Sequence, residues 1–183
     1  MAPGSEPAGA RCFVAVIPPD PLVRLLRSME RPQRDGLRWT REAQWHVTVA
    51  FFASVEPGDL VASLDRLGTA LPEPPSARAE SGPHPLPLGG RVWALPVGGL
   101  GDLAAAVGVA TSDLEQPRGE RPSRPFRGHL TLARARHPAL LRDLPQPDLR
   151  VSWQPTEVTA FVSRIGRGAA AHEIIGRWPL PRE

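Results

Sequence analysis

Two stretches of the chain carry the same arrangement of histidine, aliphatic residue, threonine and aliphatic residue. They are His46-Val47-Thr48-Val49 and His129-Leu130-Thr131-Leu132, 83 residues apart. In a strand, residues i and i+2 share one face at roughly 6.5–7 Å along the chain, whereas on a helix they diverge. Each motif, as a strand, therefore sets one imidazole beside one hydroxyl and turns its two aliphatic residues into the core. Two such pairs facing each other make a compact site for a phosphate ester. A histidine's ordinary pKa near 6.5 makes both protonation states available around neutral pH, so one ring can take a proton from the nucleophile while the other gives one to the leaving oxygen. The threonine hydroxyls can bond the non-bridging oxygens, and an arginine can offset the charge that builds up in the transition state. This chemistry needs no covalent nucleophile and no metal, and neither motif has a carboxylate or second histidine at ligand spacing. The remaining histidines lack the pattern: His84 and His137 precede prolines, and His172 lies in a later strand.

The elements that must position the motifs follow from periodicity. "CFVAVIPP" reads as a strand closed by prolines, and Asp20 as N-cap with Pro21 as first helical residue then opens a helix with Leu22, Leu26 and Met29 on one face. "WHVTVAFF" is the first motif strand, followed by helical spacing of Leu60, Leu64, Leu67 and Leu71. The middle is broken by proline and glycine, with "RVWALPV" as a strand before a helix carrying Leu103, Val107 and Leu114. "HLTLARA" is the second motif strand, and "LRVSWQP", "EVTAFVSRI" and "HEIIGRW" are further strands, the last two separated by a glycine turn at "GRG". The second half repeats the first in outline, which predicts an internal duplication facing itself across a cleft.

Composition narrows the function classes. The 22 basic residues are all arginine, and the formal net charge is only +3. Without lysine there is no Schiff-base lysine, no P-loop lysine and no lysyl-nucleotide intermediate, so ATP-driven ligation is excluded. The small net charge suits a small anion or a nucleic-acid end better than a long duplex. Cys12, the single cysteine, reads as a small buried hydrophobe in a reducing compartment. With 23 prolines and 17 glycines in 183 residues the chain is loop-rich yet ordinary in apolar content. No apolar stretch approaches membrane-spanning length, so a cytoplasmic protein with a flexible leader over residues 1–10 and one bilobal domain over 11–183 is expected, its lobes near 11–98 and 99–183 with strands able to exchange.

The paired motifs and their surroundings resemble the two-histidine phosphoesterases, and within them the bacterial RNA 2′,3′-cyclic phosphodiesterases, also called 2′-5′ RNA ligases. The resemblance runs over "RCFVAVIPPD", "LRWTREAQWHVTVAFF", "RVWALPVGG", "FRGHLTLAR" and "EVTAFVSRIGRGAAAHEIIGRWPL", in the family's order. It implies an α+β, bilobal, pseudo-twofold fold with two antiparallel sheets lining a central cleft and helices outside. It implies His46 and His129 as catalytic and Thr48, Thr131 and Arg134 as substrate-binding, with no metal and no cofactor. Strand alternation puts Arg134 on the face away from His129 and Thr131, so its assignment demands that the strand bulge or the side chain curl around the strand end. Departures are confined to loops near the cleft: "FFAS" replaces Phe-Leu-Gly, and Gly128 and Arg167 stand where proline is common.

The expected activity is opening of a terminal ribose 2′,3′-cyclic phosphate by water to leave a 2′-phosphate, with His46 as acid and His129 as base. Ligation of ends by the reverse type of reaction is open to the same site. A small cyclic nucleotide or ADP-ribose cyclic phosphate is the alternative substrate, and a non-catalytic module holding RNA ends is the rival of another class. RNA ends or cyclic nucleotides are the expected partners of a monomer, without a membrane. Arg124, Arg127 and Arg164 are candidate guides for RNA, while Phe13 and Trp45 sit in apolar contexts that favour core packing over base stacking.

Overall fold

A computed structural model describes residues 9–67, 78–114, 125–164 and 171–181. These form ten strands and three α-helices: β1 Ala10–Val16, α1 Asp20–Ser28, β2 Leu37–Trp39, β3 Val47–Val55, α2 Pro57–Leu64, β4 Ala79–Ser81, β5 Leu86–Leu88, β6 Val92–Gly98, α3 Gly101–Ala110, β7 His129–Ala135, β8 Ser152–Trp153, β9 Glu157–Arg164 and β10 Ala171–Pro179. The expected α+β architecture is found, although its antiparallel strands form one continuous ten-stranded sheet in place of two separate ones. One half of the sheet runs β10-β9-β1-β3 and the other β7-β6-β4-β8, with β2 added to β7 and β5 to β6. Both halves draw strands from each end of the chain, because β9 and β10 join β1 while β4 and β6 join β7.

The two halves meet at one pair, Val47 opposite Leu130. Each is the residue immediately after its histidine, so the local twofold of the fold passes between the two motifs. Both side chains are fully buried, contributing about 1.5–3 kcal/mol apiece from burial. They join a core that includes Leu22 and Leu26 of α1, Leu60 and Leu64 of α2, and Leu103 and Val107 of α3. The helices thus cover the face away from the motif histidines, which leaves the opposite face of the sheet open. On that face a smaller cluster of Phe13, Ala15 and Phe161 lines the floor.

Several local features depart from sequence expectation for identifiable reasons. Helix α1 begins at Asp20 with Pro19 at the cap, one residue earlier than the aspartate-cap reading, and β1 begins at Ala10, inside the expected leader. Strands β4 and β5 were concealed by proline and glycine. Pro87 is tolerated because β5 is an edge strand, and the turn into β6 uses Gly89 and Gly90 at φ of 56° and 78°, a left-handed conformation that glycine alone adopts freely. "LRVSWQP" pairs over two residues only, as β8. Leu67 is buried in the turn after α2, whereas Leu71, the "GRG" turn and residues 1–8 of the leader lie outside the described residues. Among the described residues no helix is long and apolar enough to cross a membrane.

Candidate active site

The register at Val47 and Leu130 sets the geometry of the motifs. Counting one residue either way along antiparallel strands puts His46 across from Thr131 and Thr48 across from His129, with neighbouring strands roughly 5 Å apart. All four therefore share the open face, while Val47 and Leu130 point into the core. They line one cavity of about 370 Å³, together with Arg11, Arg38, Arg134, Phe13, Phe51 and His172. No Asp or Glu lines it among the described residues. Three arginines without a carboxylate make an anion site, because their mutual repulsion is relieved only by a negative ligand or by solvent.

The two motifs are alike beyond their four residues. A register shift between Trp93 and Ala94 makes Leu132 an extra residue in β7, and a shift between Val14 and Ala15 makes Val49 an extra residue in β3. Each bulge lies three residues after its histidine and reverses the alternation beyond it. The position five residues after each histidine is thereby returned to the cleft: Arg134 in one half and Phe51 in the other. The bulge removes the objection that strand alternation raises against Arg134. The Leu132 carbonyl lies at this bulge. Thr40, in the loop leading to His46, answers it with its backbone N–H at 2.8 Å, and its hydroxyl lies 2.8 and 2.9 Å from the Thr131 and Leu132 carbonyl oxygens. The approach to the first motif is thus strapped to the bulge of the second.

Each histidine is held by the backbone two residues earlier. His129 Nδ1 lies 3.0 Å from the Arg127 carbonyl oxygen. A carbonyl only accepts, so Nδ1–H donates and Nε2 of the neutral ring is left as an acceptor, the form a general base requires. His46 bonds the backbone of Gln44 and stacks on Phe13 at 4.7 Å between ring centroids. Burial, and then the neighbouring His172, hold the His46 pKa down to about 4 despite the Gln44 bond, with Arg134 and His129 adding to the depression. The imidazole is therefore neutral in the free protein at neutral pH. Its pKa is lower folded than unfolded, so its contribution to stability is present above about 6.5 and is lost as the pH falls towards about 4. The expected NMR titration shows one ring resonance, absent in His46→Ala, with a midpoint near 4 that moves upward when inorganic phosphate is added. A midpoint near 6.5 in the free protein would refute this electrostatic picture.

Gly128, where the family often has proline, is explained by packing. A Cβ there would collide with the Val97 carbonyl oxygen, while the Gly128 carbonyl accepts the Val97 N–H at 2.9 Å. The close approach of β6 is what seats His129 at the start of its strand.

The remaining sequence candidates separate. Phe13 is 4% exposed and engaged with His46 and Phe161, and Trp45 is 4% exposed with the Arg31 guanidinium 5.2 Å above its ring, so neither offers a free face to a base. Arg127 lines a different, apolar cavity of about 540 Å³ beside Leu86, Leu100 and Phe126. That cavity also touches His129, but its lining is mostly apolar. Arg164 pairs with Glu173 at 2.9 Å, and Arg124 lies outside the described residues. Burial and the nearby Glu56 carboxylate push the Cys12 thiol pKa up, which suits an inert core residue. Among the cleft residues that escape motif reading are Arg11, Arg38, Phe51 and His172. Arg38 belongs to a three-residue strand that places it opposite Arg134, and Phe51, with the Arg11 guanidinium 5.1 Å over its ring, reaches the cleft only through the bulge. No sequence period encodes either placement.

A family model described as LigT like phosphoesterase matches residues 16–81, the segment that holds the first motif. A solved structure described as a phosphoesterase superposes with a TM-score of 0.70 at 25% identity, over 95% of this chain and 99% of its own. Over residues 16–81 the chain is similar to the LigT-like phosphoesterases, and the structural likeness to a phosphoesterase extends over nearly the whole chain. The TT0787 protein of Thermus thermophilus is similar to this chain at a TM-score of 0.73 and 22% identity, over 93% of this chain and 97% of its own. E. coli LigT in complex with 3′-AMP is similar at 0.69 and 23%, over 95% and 99%. No curated protein matches the chain. The part of the chain beyond residue 81, with the second motif, falls outside the family model and inside the structural superpositions.

Proposed function

We propose that this protein is a LigT-like phosphoesterase that hydrolyses the terminal 2′,3′-cyclic phosphate of RNA to a 2′-phosphate. The observation that carries the reading is the quartet of His46, Thr48, His129 and Thr131 on one face of the sheet, each histidine across from the other motif's threonine in an acid-free, arginine-lined cavity. The phosphate lies over the quartet, with its non-bridging oxygens on the two threonine hydroxyls and the Arg134 guanidinium. His129 Nε2 takes a proton from water as the water oxygen bonds to phosphorus. The P–O3′ bond breaks, and His46 protonates the departing O3′. His46 is neutral in the free protein, so it gains its proton as the substrate binds, drawn by the negative charge placed beside it.

The same cleft, entered by the 5′-hydroxyl of a second RNA in place of water, serves 2′-5′ joining without ATP. A small cyclic nucleotide is the second reading, favoured by solved structures of E. coli LigT complexed with 3′-AMP, NADP+ and ATP. The absence of paired cysteines fits a cytoplasmic setting.

The test uses the protein with EDTA and a short RNA ending in a 2′,3′-cyclic phosphate. The expected product is heavier by one water and carries its phosphate on O2′. A 3′-phosphate product would overturn the assigned leaving group. Intact RNA beside an opened cyclic mononucleotide would transfer the reading to the small substrate, and saturable binding of both without turnover would make the cleft a binding module.

A further inference from the structure

His172 enters the cleft from β10, the outermost strand, where it lies opposite Ser163 of β9. Its ring meets Phe13 edge-on at 4.9 Å and His46 edge-on at 5.6 Å between centroids, so it stands against the very ring that the first motif supplies. It lines the same cavity as His46, His129 and Arg134. Its Nδ1 is buried and has no hydrogen-bond partner among the described residues. A proton on that nitrogen would find no acceptor among the described residues. The ring is therefore held in the tautomer that carries its hydrogen on Nε2, the one polar atom left to serve the cavity. Burial also lowers the His172 pKa, in agreement with a neutral ring.

We propose that His172 is a third imidazole of the site, a neutral Nε2–H donor to a non-bridging oxygen of the bound phosphate that also fixes the ring plane of His46 from its edge. This rests on the reading of the cleft as a phosphate site. It assigns a residue outside both motifs to the wall of that site. A neutral donor is suited to this place, since the cavity already holds Arg11, Arg38 and Arg134, and a fourth full charge would further oppose the proton that His46 must carry.

The test compares His172→Phe, which keeps an aromatic ring without the donor, with His172→Gln, which keeps a donor near the Nε2 position. The probes are inorganic phosphate binding by calorimetry and steady-state kinetics on RNA with a 2′,3′-cyclic phosphate. The expected result for His172→Phe is a rise of about 3- to 10-fold in both the phosphate Kd and KM, the usual worth of one neutral hydrogen bond, with kcat changed much less. His172→Gln restores most of the loss. Wild-type Kd and KM in His172→Phe would overturn the proposal, as would equal loss in both variants together with a lower Tm, which marks packing alone. Phosphate binding needs no turnover, so a protein inactive on the RNA still tests His172: a weaker phosphate Kd in His172→Phe, recovered in His172→Gln, upholds this inference while the RNA reading fails.

Discussion

Replacing His46 or His129 by alanine lowers kcat/KM on an RNA 2′,3′-cyclic phosphate by at least about two orders of magnitude, the usual worth of one general acid or base. On the proposed mechanism both rings act in one displacement, so the double variant is expected to be little worse than either single one, because removing one member already forfeits the concerted proton transfer. The measurement is single-turnover cleavage with EDTA present, and thermal melting of each variant keeps folding separate from chemistry. His129 heads its strand and His46 immediately precedes its own, so neither substitution interrupts a ladder, and the core beneath them, Val47 and Leu130, is untouched. Near wild-type rates in both variants would remove the quartet from the mechanism. Loss in one alone would leave the acid or the base to another group.

The second large effect belongs to Arg134. A charged hydrogen bond to phosphate is worth about 1.5–3 kcal/mol, which corresponds to roughly 10- to 100-fold in kcat/KM for Arg134→Ala. Arg134 makes no ion pair among the described residues, so the substitution leaves no carboxylate stranded and the loss reports on substrate. Arg134→Lys recovers only part of the activity, since a point charge replaces the planar fork that bonds two oxygens at once. Unchanged kinetics in Arg134→Ala would mean that the guanidinium does not meet the phosphate, and would shift its role to Arg38, the residue paired opposite it across the β2–β7 ladder.

The difference between Arg134 and Arg38 shows where sequence reading stops. Arg134 is visible only through a resemblance, and strict alternation argues against it. The bulge at Leu132 reconciles the two, and nothing in "HLTLARA" announces a bulge, because Leu132 and Ala133 are both apolar and fit either face until the partner strand sets the register. Arg38 has no local signal at all. Its strand is three residues long, too short for a period, and it pairs with β7 from nearly a hundred residues away. His172 is likewise one histidine in an ordinary strand until β9 and β10 fold against β1 and bring it to Phe13 and His46.

By itself the sequence determined the chemistry's raw material: two histidine-threonine pairs at strand spacing, aliphatic residues to anchor them, no lysine for adenylyl transfer, and helices whose apolar faces at Leu22 and Leu26, Leu60 and Leu64, and Leu103 and Val107 were bound to cover one side of a sheet. These are local properties, set by the periods of strand and helix. The tertiary structure alone decided that Val47 meets Leu130, which sets each histidine across from the other motif's threonine. It also decided that the bulges turn Phe51 and Arg134 to the cleft and that His172 closes its wall. Those outcomes depend on register between strands distant in the chain, and register is fixed by the joint burial of many side chains, which no single segment carries.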